Sequence, residues 1–244
     1  MAKKYEYVPR NEYLPVAQRI SSCMDKVADI LHEKGITFEW AFVGSANRYD
    51  GNPFITREIK GNKGFDFDVN MYLNSPDKDH IWTAKFARLA AYTAIDEVFT
   101  QLGYQHPEDR TSVLRVKFID KHDKTIVHSC DFALFQKIPE RDGVIREKFA
   151  KKYDKDGSYN WEIRGGKNDP ANEKLYWMLD YIGDDGDDEH YEFFYEKGFC
   201  LLDDLKEEYL KLKNVNKDEN KCSFQLFNEA VCNVYNKWMQ LIKK

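Results

Sequence analysis

The sequence predicts an α+β protein, with helices and strands mixed over roughly the first 140 residues and a mainly helical region from about residue 171. Three observations carry that expectation. Apolar residues recur at intervals of three and four in 15–34 and again in two long C-terminal stretches. Between them lie β-rich runs closed off by Gly, Asn, Asp and Pro. One run, Gly64 to Leu73, alternates strictly, so that Phe65, Phe67, Val69, Met71 and Leu73 share one face of a strand while Asp66, Asp68, Asn70 and Tyr72 share the other.

The elements follow in order. Val16, Ile20, Cys23, Met24, Val27, Ile30 and Leu31 mark an amphipathic helix that stops at Gly35, and Thr37–Val43 reads as a strand directly after it. Gly44-Ser45 then opens a polar loop, Ala46 to Lys63, containing Asn52-Pro53 and Gly61-Asn62. A loop that long beside a candidate site is more often functional than idle. Beyond the diacidic strand, Ile81, Phe86, Leu89, Ala90, Thr93 and Val98 indicate a second helix ending near Gly103. Val113–Ile119 and Thr125–Leu134 are β-rich and joined by the polar turn Asp120–Lys124, a hairpin that carries Asp131 late in its second strand.

From residue 140 the character changes. Arg141 to Pro170 is charged and Gly-rich and marks a boundary or a long connection. Leu175, Met178, Leu179 and Ile182 suggest a short helix, and Phe194–Leu212 and Phe224–Ile242 two longer ones. There is no internal repeat.

Composition narrows the function. With 244 residues, 42% hydrophobic, the chain can bury a sizeable core. A net charge of −5 argues against coating nucleic acid over the whole surface, although a local basic cleft stays compatible with a nucleic-acid partner. Five scattered cysteines without a CxxC pair indicate neither a disulfide framework nor a zinc site, so a reducing cytosol is the simplest setting. Met1–Glu6 lacks an apolar leader and no segment approaches a membrane span, so the expectation is a soluble, cytoplasmic protein without a membrane partner.

The chemistry concentrates on the diacidic strand. Two carboxylates two residues apart on one strand face repel, and a divalent cation between them relieves that repulsion, so Asp66 and Asp68 point to a Mg²⁺ site. Taken alone, an Asp-x-Asp is usually a solvated strand face and a Gly-Ser a simple turn. Their succession, Gly44-Ser45, then Asp66 and Asp68, then Asp131, each at the appropriate end of an expected strand, is what makes the pattern specific. Alternation also sets Arg115 and Lys117 opposite Leu114, Val116 and Phe118, on the same open face as the aspartates.

This order of helix, strand, Gly-Ser, loop, Asp-x-Asp strand, helix and hairpin with a third Asp resembles the nucleotidyltransferase superfamily typified by DNA polymerase β. It is most similar to the branch holding cyclic-oligonucleotide synthases, oligoadenylate synthases and CCA-adding enzymes. The likeness covers roughly residues 15–140, and the loop between Ser45 and Asp66 is longer than in the smaller members. The resemblance implies a nucleotidyltransferase catalytic domain over 1–140, with a mixed sheet and helices on one face, a linker over 141–170 and a helical domain over 171–244. It implies two Mg²⁺ or Mn²⁺ ions held by Asp66, Asp68 and Asp131, and an NTP gripped by Gly44, Ser45, Arg48 and Lys117. The implied reaction moves a nucleoside monophosphate to an unidentified acceptor hydroxyl on a second nucleotide, an RNA end, a small molecule or a protein, releasing pyrophosphate. The alternative is a nucleotide-sensing or partner-binding module that keeps the fold without catalysis, as in a defence or toxin–antitoxin system.

Other features have plainer readings. His128, with Ile126, Cys130 and Phe132 as same-face neighbours, reads as a hydrogen-bonded core histidine. The run Asp154–Ser158 lacks the downstream ligands of a calcium loop and reads as a polar turn, and the acidic run 184–189 as a solvated loop.

Overall fold

The computed structural model describes residues 4–46, 53–61, 64–77, 80–139, 145–153, 155–163, 170–182, 196–218 and 221–243. The chain divides into two compact units, the larger Tyr7–Gly165 and the smaller Gly166–Lys244 together with Met1–Glu6. The strands are β1 (Tyr5–Tyr7), β2 (Thr37–Val43), β3 (Thr56–Glu58), β4 (Phe65–Asn74), β5 (Glu108–Asp109), β6 (Leu114–Ile119), β7 (Ile126–Pro139), β8 (Ile145–Lys152) and β9 (Tyr159–Ile163); the larger unit also holds α1 (Arg10–Glu33) and α2 (Ala84–Gln101).

The larger unit is built on a mixed sheet in the order β2-β4-β7-β6-β5, with β8 added to β7 and β9 to β8. β2 runs antiparallel to β4 and β6 antiparallel to β7, whereas β4 and β7 are parallel. A parallel pair needs a long crossover, and α2 lies in the one between these two strands. The expected alternation in β4 holds: Phe65, Phe67, Val69, Met71 and Leu73 are all buried. They join one core cluster with Ile20, Met24, Val27 and Leu31 of α1 and Ala87, Ala91, Ala94 and Ile95 of α2. Both helices therefore cover the same face of the sheet, and the aspartates stand on the other. Thr83 caps α2 by accepting the Phe86 N–H at 3.2 Å.

The structure differs from the expected linker at 141–170. β8 pairs with the second half of β7, from Phe135↔Phe149 to Pro139↔Ile145, and β9 pairs with β8, so this stretch extends the sheet of the larger unit. The reason is the length of β7, which continues to Pro139 and offers a free edge beyond the end of β6. Asp131 accordingly lies in the middle of a 14-residue strand, not late in it. Asp154 lies outside the described residues, but Tyr153 and Ser158 close the β8–β9 hairpin around that position, with Gly157 N–H donating to the Tyr153 carbonyl at 2.9 Å.

The smaller unit contains the helices Pro170–Ile182, Leu201–Val215 and Ser223–Ile242. Leu201, Leu205 and Tyr209 of the second and Leu226, Val231, Val234 and Trp238 of the third are buried. The Trp238 indole N–H donates to Asp204 at 2.9 Å. The acidic run 184–189 lies outside the described residues. Among those described, no helix is long and apolar enough to cross a membrane.

Candidate active site

Three strands assemble the candidate site on the sheet face away from α1 and α2. β4 supplies Asp66 and Asp68, and the parallel register sets Asp68 directly across from Asp131 and Asp66 across from Ser129 on β7. β6 then sets Arg115 across from Asp131 and Lys117 across from Ser129. Side chains directly opposite one another in neighbouring strands share a face, so this register alone gathers the acids and the bases.

The contacts follow the register. Arg115 clamps Asp131 with two parallel hydrogen bonds, Nε to Oδ1 and Nη2 to Oδ2. The pair is largely sheltered, with 13% of the Asp131 side chain and 25% of that of Arg115 exposed. The hydrogen bonds to Asp131 hold the Arg115 guanidinium charged well above its ordinary range, and Asp66 and Glu108 add to that effect. Ser129 donates its hydroxyl to Asp66 Oδ1. Lys117 shares the open face, but its ammonium is bound by Glu108, whose carboxyl is held below the usual range by that hydrogen bond.

The turn after β2 closes on the same acids. Gly44–Ala46 forms one 3₁₀ turn, and Val43 pairs with Asp68. Gly44 has φ +61°, and a Cβ there would stand 2.8 Å from Asp68 Oδ2. Only glycine lets the backbone run this close to the carboxylate. The Ser45 carbonyl accepts the Phe54 N–H at 2.8 Å, tying the turn to the end of the loop. At the other end of the loop, Gly64 has φ +60°, and a Cβ would meet the Val127 carbonyl at 2.1 Å, so the entry to β4 is pressed against the start of β7.

Of the residues expected from the sequence, Asp66, Asp68 and Asp131 share one face of adjoining strands, with Gly44 against Asp68; Lys117 is on that face with its charge turned to Glu108. Arg48 lies outside the described residues, as do 47–52 and 62–63 of the loop. Sequence reasoning missed Ser129, Glu108 and the pairing of Arg115 with Asp131. Ser129 was legible in principle, since it stands two positions before Asp131 and therefore on its face. Among the described residues no three His, Cys, Asp or Glu side chains already converge as metal ligands. On the opposite face, His128 is 2% exposed and its Nε2 lies 2.8 Å from the Tyr104 hydroxyl, in accord with a core histidine.

The fold, a mixed sheet with its helices on one face, is similar to that of solved structures. The 3′-deoxy GTP-bound form of Escherichia coli DncV matches with a TM-score of 0.51 at 16% identity, covering 94% of this chain and 54% of that one. Vibrio cholerae DncV cyclic AMP-GMP synthase with a linear intermediate gives 0.42 at 14% identity over 82% and 51%. Bradyrhizobium diazoefficiens CdnG with GTP gives 0.44 at 8% identity over 65% and 40%. The chain thus spans about half the length, or less, of these structures. No family model and no curated protein matches its sequence.

Proposed function

We propose that the protein is a metal-dependent nucleotidyltransferase that moves a nucleoside monophosphate from an NTP to an acceptor hydroxyl and releases pyrophosphate. The observation that carries this reading is the register of β4 and β7, which sets Asp131 beside Asp68 on the face that also bears Asp66 and borders the Gly44 turn. The donor set fits Mg²⁺ or Mn²⁺, hard cations that take carboxylate oxygens. Asp66, Asp68 and Asp131 would hold two such ions, which supply a lowered pKa at the attacking hydroxyl and neutralise the leaving pyrophosphate.

This chain's own residues do the rest. Ser129 holds Asp66 Oδ1, which restricts the rotation of that carboxylate. The Gly44–Ala46 turn offers backbone amides, and Ser45 a hydroxyl, to the β- and γ-phosphates. Asp131, once free of Arg115, is placed to orient the acceptor hydroxyl and accept its proton. Nucleotide as the donor is supported by the 3′-deoxy GTP bound to Escherichia coli DncV. The acceptor is a second nucleotide, an RNA end, a small molecule or a protein.

Incubation with each labelled NTP and Mg²⁺ or Mn²⁺ tests the reading; pyrophosphate is expected, and its absence with all four NTPs, over a panel of acceptors from those classes, counts against catalysis. One observation favours the second reading, a nucleotide-sensing or partner-binding module: Asp131 is neutralised by Arg115. On that reading NTP binds without turnover and independently of divalent metal.

A further inference from the structure

We propose that Arg115 is a built-in counter-ion of the acidic face, which clamps Asp131 while no divalent cation is present and releases it when one binds. The inference rests on the metal-dependent reading above and adds a step to it.

Asp68 and Asp131 stand directly opposite each other, and Asp66 lies on the same face one register step away from Asp68. Three carboxylates on one small strand face repel, and a cation beside them relieves that repulsion. Among the described residues Arg115 is one such cation, bonded to Asp131. Its position is set by backbone pairing across β6 and β7, so the clamp belongs to the fold and not to a chance rotamer on a mobile loop. Both oxygens of Asp131 accept from the guanidinium, so a metal ion binding there would have to share them with a fixed positive charge. A divalent ion at Asp131 and a guanidinium on the same two oxygens repel one another, so the two occupants exclude each other. The displaced guanidinium also has a second acid within reach of its strand: Glu108 lies directly opposite Arg115 on β5, the neighbour on the other side. Glu108 already gathers Lys117 and Arg110, and so marks the side of the sheet where positive charge is accommodated.

Exchange of this kind makes the empty site stable and sets a threshold for metal. Leaving the largely sheltered Asp131 without a partner costs more than an exposed ion pair would return, so loss of Arg115 should destabilise the metal-free protein and strengthen its hold on metal at once. A residue with a merely structural role would do only the first.

Mn²⁺ binding to the full chain without nucleotide, followed by electron paramagnetic resonance of the free ion, tests the exchange in wild type, Arg115→Gln, Asp131→Asn and the double variant. Arg115→Gln is expected to bind Mn²⁺ about tenfold tighter than wild type, in the range of coupling between contacting charged groups, and Asp131→Asn should erase that gain. Thermal melts should show Arg115→Gln below wild type in EDTA and recovering more than wild type does on Mn²⁺ addition. Should Arg115→Gln not fold, Arg115→Lys, which keeps the charge but loses the fork, is expected to bind Mn²⁺ more tightly than wild type by a smaller factor. Wild-type binding that depends on Asp66 and Asp68 but is unchanged or weakened in both Arg115 variants would overturn the exchange and leave the transferase reading intact. No Mn²⁺ binding by any of these proteins, with or without NTP, would overturn both.

Discussion

The two faces of β7 carry two polar pairs, three residues apart in sequence and opposite in character. On the core face His128 meets Tyr104 beneath Phe118, Phe65 and α1; on the open face Asp131 meets Arg115. Burial pushes the His128 imidazole down to about 4 and the Tyr104 hydroxyl well up, so both stay neutral. The partly exposed pair is instead a salt bridge closed by two hydrogen bonds. The difference teaches that alternation along a single strand can separate a neutral structural pair from a charged one that can change partner, with no loop between them.

The largest effect that would break this comparison lies on the open face. Asp68→Asn should lower NTP-dependent pyrophosphate release by at least about 100-fold, the upper end of what losing an outer partner of a metal ligand costs. It should leave the circular dichroism spectrum unchanged. Retained activity would mean that the acidic face is only a surface.

Next comes pH, which acts on the core face. The unfolded imidazole takes up its proton near 6.5, whereas the folded one does not until about 4, so the unfolded state binds more protons between those values. Stability contributed by neutral His128 should therefore be present above about 6.5 and be lost as pH falls toward 4, by up to about 3 kcal/mol. Denaturant melts across that window should show the loss in wild type and a smaller one in His128→Phe. An identical slope in both proteins would show that His128 is not the group responsible.

A smaller effect is expected at the turn against Asp68. Gly44→Ala forces a Cβ into the left-handed region and toward Asp68 Oδ2. It should cost about 1–3 kcal/mol of stability and weaken NTP, the two read separately by thermal melting and calorimetry. Ser45→Ala, which adds no strain, should lose about 1–3 kcal/mol of phosphate interaction. The smallest change is expected at Lys117, whose ammonium is already committed to Glu108. Lys117→Ala should alter NTP affinity less than about threefold, in keeping with a partly exposed ion pair, and a larger loss would return Lys117 to the nucleotide grip.

Much of this was legible from residue order, and the boundary is physical. Alternation in Phe65–Leu73 determined which side chains face the core and which face away, because a strand's period of two is a local property of the backbone. The same rule placed His128 in the core and Arg115 and Lys117 on the open side. The helical periodicity of Ile20, Cys23, Met24, Val27 and Leu31 likewise determined the buried stripe of α1. What residue order did not determine was register. That Asp131 stands across from Asp68, that Ser129 reaches Asp66, and that Arg115 holds Asp131 while Lys117 turns to Glu108 all depend on hydrogen-bond pairing between segments far apart in the chain. The strands β8 and β9 were hidden for the same reason. β8 is charged and carries little apolar signal, whereas Tyr159, Trp161 and Ile163 of β9 do alternate; both are strands because β7 runs on past β6 and leaves backbone groups for β8 to pair, and β8 in turn pairs β9. Local pattern thus set the two faces of the sheet, and long-range pairing decided which charges meet on them.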